Sequence, residues 1–334
     1  MTAILVTGAN GFLGRHLVTL LLGRGYSVIA LDLAFTPGMP VAAEYVTGTV
    51  TNRALVEELV ARSAGVIHAA AIAHLWAPHP GAHDAVNREG TVVMAEAALK
   101  AGVRLLLVSS YTALVTRETA RGALLSEAAR PAPEALLGPY PASKRAAEMA
   151  VEAAAERGLD AVTVLPSAPV GPGDRAPTPP GRMILDFARG ATPALVDTRL
   201  DLVDVRALAD GILRAFEQAP AGGRYLLSGE EMSLASLAGI VAEAAGVRAP
   251  RARVPFALAF ATAHVEDLIA RATGRAPTAP LTGVRLAARS IRLDNSAARE
   301  ALGYAPPPVR GAVADAVAWF RAEGMLPAQP SQPA

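Results

Sequence analysis

Three glycines spaced three apart, Gly8, Gly11 and Gly14 in TGANGFLG, lie between a short aliphatic run, Ala3 to Val6, and a helical pattern beginning at Phe12. A backbone without side chains can turn tightly there and let a bulky anion approach the first helical turn. Free amides and the positive end of the helix dipole then stabilise a pyrophosphate. Asp32 closes the next strand-like run, Ser27 to Asp32. A carboxylate there accepts hydrogen bonds from a ribose diol and repels a 2′-phosphate. No arginine or lysine lies between Asp32 and Arg53, so the pattern predicts NAD rather than NADP. Asp32 could also be a plain strand-end turn residue; the glycines upstream favour the ribose role.

The first half of the chain continues this rhythm. Helical patterns start at Phe12 and Asn52 and end near Lys100, alternating with strand-like runs at Gly65 to His68, Arg104 to Ser109 and Ala161 to Leu165. Such alternation predicts βαβ units and a doubly wound, mostly parallel α/β sheet. From Pro166 the texture changes, and Pro169, Pro172, Pro177, Pro179 and Pro180 are expected to break regular structure across a loop. The predicted division is a Rossmann-type dinucleotide-binding domain over 1–165 and a mainly substrate-binding cap over 166–330. Strands near 196–205 and 224–227 are candidates to rejoin the sheet. Ser233 to Ala245, Val254 to Thr273 and Gly311 to Gly324 read as cap helices, and the tail after Pro327 as frayed.

YPASK, residues 140 to 144, places a phenol and an ammonium about one helical turn apart, on one face. A phenol is a reluctant acid or base at neutral pH, and a nearby ammonium is expected to bring it into working range. Alone, the spacing would suit any solvated helix face. Behind a glycine cradle it predicts an acid/base device.

Composition removes several other functions. With no cysteine there is no disulfide framework, thiolate metal site or cysteine nucleophile. Basic and acidic residues nearly balance, 31 against 30, so no basic stripe offers a nucleic-acid site. The apolar stretch from Val254 to Ala263 is far shorter than the ~20 residues that span a bilayer, so no integral membrane segment is expected. MTAILVTGAN enters a strand without a charged leader, which predicts no signal peptide and an intracellular address.

With the glycine turn, HAAA at His68 to Ala71, VSS ending at Ser110 and YPASK in that order, the chain resembles the extended short-chain dehydrogenase/reductase family of NAD-dependent epimerase/dehydratase type. VNREGT at Val86 to Thr91, GPGD at Gly171 to Asp174 and LDNSAAREALGY extend the resemblance over nearly the whole length. PSAPVGPGDRAPTPPGR, with LVDTRLDLVDV after it, is similar to the dihydroflavonol-reductase-like group and to hopanoid-associated sugar epimerase-like proteins. The resemblance implies that Tyr140 exchanges the proton, Lys144 holds the nicotinamide ribose and lowers the tyrosine's pKa, and Ser110 hydrogen-bonds the reacting oxygen. Ser109 is the rival for that role, and Thr112 an assistant. It further implies cofactor contacts from Gly8, Asn10, Gly11, Phe12, Leu13, Gly14, Asp32, Ala69, Ala70, Ala71, Asn87, Ser109, Tyr140, Lys144 and Pro166. Substrate contacts are implied for Trp76, Ser110, Thr112, Tyr140 and Pro169. Asn87 either fixes a water near Lys144 or caps a helix. Relatives pair through the helix before Lys100 and the helix carrying Tyr140, which implies a cytoplasmic homodimer.

Departures from the family narrow the chemistry. Dehydratases place an Asp-Glu pair where Tyr111 and Thr112 follow Ser110, so elimination of water is disfavoured. Nucleotide-sugar epimerases carry a diphosphate-binding arginine where this chain has Leu200, with Arg199 one place away, and polar anchors where it has Leu165 and Val170. The expectation is therefore an NAD-dependent oxidoreductase acting on a hydrophobic alicyclic alcohol or ketone. A sugar epimerase and a non-catalytic NAD sensor are the alternatives. His68, His74, His79 and His83 follow no common ligand spacing, so no metal is expected. Trp76 fits either core packing or the pocket wall, with the wall favoured because strand C-termini bind ligands. Arg248, Arg251 and Arg253 read as a solvated turn, with an anion anchor as the alternative.

Overall fold

The computed structural model describes residues 3–79 and 81–327, so the expectation for the tail after Pro327 lies outside the described residues. In chain order the principal strands are β1 Ala3–Thr7, β2 Ser27–Asp32, β3 Glu44–Thr47, β4 Ser63–His68, β5 Arg104–Val108, β6 Ala161–Pro166, β7 Ala168–Val170, β8 Arg199–Asp204, β9 Arg224–Leu227 and β10 Glu230–Ser233. The principal helices are α1 Phe12–Gly23, α2 Arg53–Ala61, α3 Glu89–Ala101, α4 Pro139–Ala155, α5 Pro179–Ala188, α6 Val205–Gln218, α7 Leu234–Ala245, α8 Phe256–Thr273, α9 Leu281–Arg289, α10 Ser296–Leu302 and α11 Arg310–Ala322.

Seven parallel strands form the central sheet in the order β9-β6-β5-β4-β1-β2-β3. Alternate residues of each strand serve opposite faces. Ile4, Val6, Val28, Ala30, Ile67 and Leu106 pack with residues of α1 and α6. Leu5, Ile29, Leu31, Val66, Leu105 and Leu107 pack with residues of α2, α3 and α4. Both faces of the inner strands are covered, as a parallel sheet requires, which explains aliphatic runs such as Leu105 to Val108, whereas the edge strand β3 is only partly buried. Strand order reverses between β1 and β4, where their C-terminal ends diverge and leave a crevice.

The second half departs from expectation in two places. The strand expected over 196–205 forms at β8 but does not rejoin the central sheet. It lies in a three-stranded sheet between β7, its parallel neighbour, and β10, its antiparallel one. β9 does join the central sheet, beside β6. The proline-rich stretch is not wholly irregular either, because Pro179 and Pro180 open α5 behind Thr178, whose hydroxyl accepts the Gly181 amide. First-turn amides have no partner within the helix, so proline costs little there. A separate core joins α5, α7 and α11 to the small sheet through Ile184, Leu237, Val241, Val313 and Phe320. No helix among the described residues is long and apolar enough to cross a membrane.

Candidate active site

A cavity of about 640 Å³ fills the crevice at the ends of β1 and β4. Gly8 turns out of β1 with a φ of +67°, and a Cβ there would stand 2.8 Å from the Ala70 backbone that follows β4. At Gly14 a Cβ would stand 2.0 Å from the Gly8 carbonyl oxygen. Both approaches therefore depend on glycine, and they draw the start of α1 against the turn. Gly11 caps α1 without any side-chain hydrogen bond, so its first-turn amides are left for a ligand. Every residue expected to touch a cofactor lines this cavity except Asn87, and so do Ser110, Thr112 and Pro169.

Asp32 closes the cradle from the neighbouring strand. Its Oδ2 accepts the Asn10 amide at 2.8 Å and its Oδ1 the Leu33 amide at 2.7 Å. The sequence reading missed Arg15. Its guanidinium donates to the Asn10 carbonyl at 3.1 Å, to Asn10 Oδ1 at 2.5 Å and to the Thr36 hydroxyl. A cation thus reaches the loop after Asp32 from α1, although none lies nearby in sequence. Because Asp32 lines the cavity and Arg15 does not, NADH should bind at least about tenfold tighter than NADPH, a difference of roughly 1.4 kcal/mol. Asp32→Ser should narrow that gap, since Arg15 remains. Calorimetric titration of both cofactors checks this, and a tighter NADPH would contradict it.

At the other end α4 presents Tyr140 and Lys144, both buried. Lys144 Nζ donates to the Val108 carbonyl at 2.6 Å, and burial pulls its pKa down to about 8 against the opposing pull of Glu148. The expectation that the ammonium would lower the phenol's pKa is not met. Burial raises the pKa of Tyr140, and the Ser110 hydroxyl offsets only part of that rise. Taking the phenolate out of water costs more than one hydroxyl donor returns, and that sets the direction. Ser110 Oγ lies 2.9 Å from the Thr112 hydroxyl and accepts the Thr112 amide, so the two hydroxyls form one polar spot in the wall. Ser109 instead donates its hydroxyl to Glu148.

Glu148, one turn beyond Lys144, is a second residue that sequence reasoning missed. It is 1% exposed and joins Ser109 to Arg224 at 2.7 Å and Arg145 at 3.4 Å. Arg224 also donates to the carbonyls of Glu127 and Ala129, fastening that loop to β9 and α4. Glu148→Gln takes the counter-charge from buried Arg224, while Arg145 keeps Glu152 at 3.0 Å, and should cost about 3–5 kcal/mol of stability, read by thermal unfolding. The carboxylate favours the ammonium form of Lys144, so its removal lowers that pKa further. The alkaline limb of the turnover profile should then move to lower pH. An unchanged melting point and profile would contradict this account of Glu148.

Other candidates fall outside the cavity wall. Trp76 does not line it; the neighbouring Leu75 does. Asn87 neither touches the cavity nor caps a helix with its side chain. It accepts the Ile72 amide at 2.8 Å and donates to Ser143 Oγ at 2.9 Å, tying the loop after β4 to α4. His68 bridges Thr7 at 2.7 Å and Thr91 at 3.2 Å, and burial holds its pKa down at about 3, so it is a neutral core residue. His83 packs edge-on against the Tyr140 ring, with centroids 6.0 Å apart. Arg199 pairs with Glu231 and does not line the cavity.

Comparison with known proteins agrees with this geometry. A family profile described as the NAD dependent epimerase/dehydratase family matches residues 4–228. A Synechocystis protein provisionally named dihydroflavonol 4-reductase is 35% identical over 334 residues, covering 97% of this chain and 96% of its own. Sterol demethylase protein B of Methylococcus capsulatus is 34% identical, covering 96% of this chain and 99% of its own. The crystal structure of gox2253 superposes with a TM-score of 0.82 at 34% identity, covering 98% of this chain and 100% of that one.

Proposed function

The chain belongs to the NAD dependent epimerase/dehydratase family, whose enzymes use NAD, and from that premise we propose that it reduces or oxidises a hydrophobic alicyclic ketone or alcohol, sterol-, isoprenoid- or flavonoid-like. The residues present suit NAD: a cradle that two added Cβ atoms would fill, uncapped first-turn amides and a carboxylate at the ribose end. When bound, NAD supplies or accepts the hydride at its nicotinamide ring. Tyr140 gives or takes the proton at the substrate oxygen, while the Ser110 and Thr112 hydroxyls hold that oxygen in place. The raised pKa of Tyr140 keeps the phenol protonated, the state that ketone reduction uses. Lys144, anchored on Val108, offers its remaining donors to the nicotinamide ribose.

One observation carries the substrate class. Among the described residues lining the cavity, Asp32 is the single carboxylate and Lys144 the single cation. The rest of the wall includes Leu75, Tyr111, Pro169, Pro179 and Leu286. Away from the glycine cradle such a wall offers no cation besides Lys144 to a second diphosphate, and it suits an apolar ring system. The names of two relatives, a dihydroflavonol 4-reductase and a sterol demethylase protein, point to polycyclic compounds of that kind.

A panel of sterols, hopanoids, flavonoids and nucleotide sugars, followed by NADH absorbance, tests the reading. Net NADH consumption with a hydrophobic ketone is expected. Inversion of a sugar without net NADH change would favour an epimerase, and full cellular function of Tyr140→Phe would favour a sensor. We also expect two copies to pair through α3 and α4, which sedimentation velocity can check.

A further inference from the structure

We propose that α8 is a docking face for an anionic membrane surface. Only Ala263 and Ala270 of this helix are buried. Leu258, Val265, Leu268 and Ile269 are 52%, 59%, 70% and 54% exposed, and their spacing places them on one side of the helix. An amphipathic helix that turns its apolar side outward has a second phase to meet.

The charge around the helix identifies that phase. From 248 to 289 the chain carries seven arginines against Glu266 and Asp267, a local excess of five in a protein whose formal charge is +1. Arg248, Arg251, Arg253, Arg275 and Arg285 are exposed and make no side-chain hydrogen bond or ion pair among the described residues. Many exposed arginines elsewhere, among them Arg24, Arg157 and Arg310, pair with acids, and the unpaired ones are not gathered about one apolar face. Unspent guanidiniums at both ends of an outward apolar stripe match anionic headgroups above an acyl layer, with the arginine stems lying along the boundary. The helix lies on such a surface and does not cross it. α9 packs against α8 and contributes Leu286 to the cavity wall, so one hairpin forms both the outer face and part of the inner wall. Uptake of a membrane-dissolved substrate here rests on the function proposed above; docking does not.

Flotation of the full chain with vesicles of phosphatidylcholine alone, and with roughly a third phosphatidylglycerol, tests the proposal. The protein should float with the anionic vesicles, remain largely free of the neutral ones and be released by salt. Leu268→Glu/Ile269→Glu and Arg251→Glu/Arg253→Glu should each cut the bound fraction by about tenfold. Both variants should keep the wild-type melting point and NADH affinity, which separates lost docking from lost folding. Absence of binding to anionic vesicles, or equal binding by the variants, would overturn the proposal. So would a wild-type dimer that Leu268→Glu/Ile269→Glu dissolves, because a second copy would then cover the face.

Discussion

Replacing Tyr140 with phenylalanine should lower turnover by about 10²–10⁴-fold while leaving NADH affinity within about threefold, because the change removes the phenol proposed to exchange the proton and little else. The ring is buried beside His83, and its packing survives the loss of one oxygen. Ser110 and Thr112 keep each other as hydrogen-bond partners, so the neighbouring hydroxyls stay placed. Steady-state turnover with the ketone found by the panel, together with calorimetric titration of NADH, checks both halves. Retained turnover would transfer the proton role to another group. Equal loss of turnover and NADH binding would show that the phenol builds the cavity rather than working in it.

Gly14→Ala should nearly abolish cofactor binding, by on the order of a hundredfold, and destabilise the fold by about 2 kcal/mol or more. The added methyl would stand 2.0 Å from the Gly8 carbonyl oxygen, and 2.8 Å from the Ala9 Cα. Both are backbone atoms, so no side chain can swing aside. Relief requires α1 to back away from the turn after β1, which moves the first-turn amides from the crevice between β1 and β4. Gly23→Ala is the control: a Cβ there meets nothing within 4 Å, and stability should change little or improve. Thermal unfolding and NADH titration of the pair separate the two cases. Similar behaviour of both variants would contradict the close approach at Gly14.

What the sequence disclosed here was local. The glycine turn, Asp32 at its strand end and the one-turn spacing of Tyr140 and Lys144 are set by backbone geometry within a few residues. What it hid depended on partners far along the chain. Glu148 meets Arg224 across 76 positions, and Arg15 reaches Thr36 across 21. Neither pair leaves a periodic trace. The direction of the Tyr140 shift was hidden for a related reason: pairing could be inferred from spacing, but depth of burial could not. Trp76 and Leu75 show the limit at one-residue scale, since a loop gives no period from which to read the inward side. Prolines 179 and 180 looked like breakers because their place in the first turn depends on Thr178 just before them.

Transfer of deuterium from NADH labelled at the transferable C4 position tests the central claim most directly. With a hydrophobic ketone as acceptor, mass spectrometry should find the label on the carbinol carbon of a released alcohol, one per NADH consumed, and Tyr140→Phe should form it about 10²–10⁴-fold more slowly. Label that stays on the cofactor while a sugar substrate inverts, or wild-type rates from the phenylalanine variant, would contradict it.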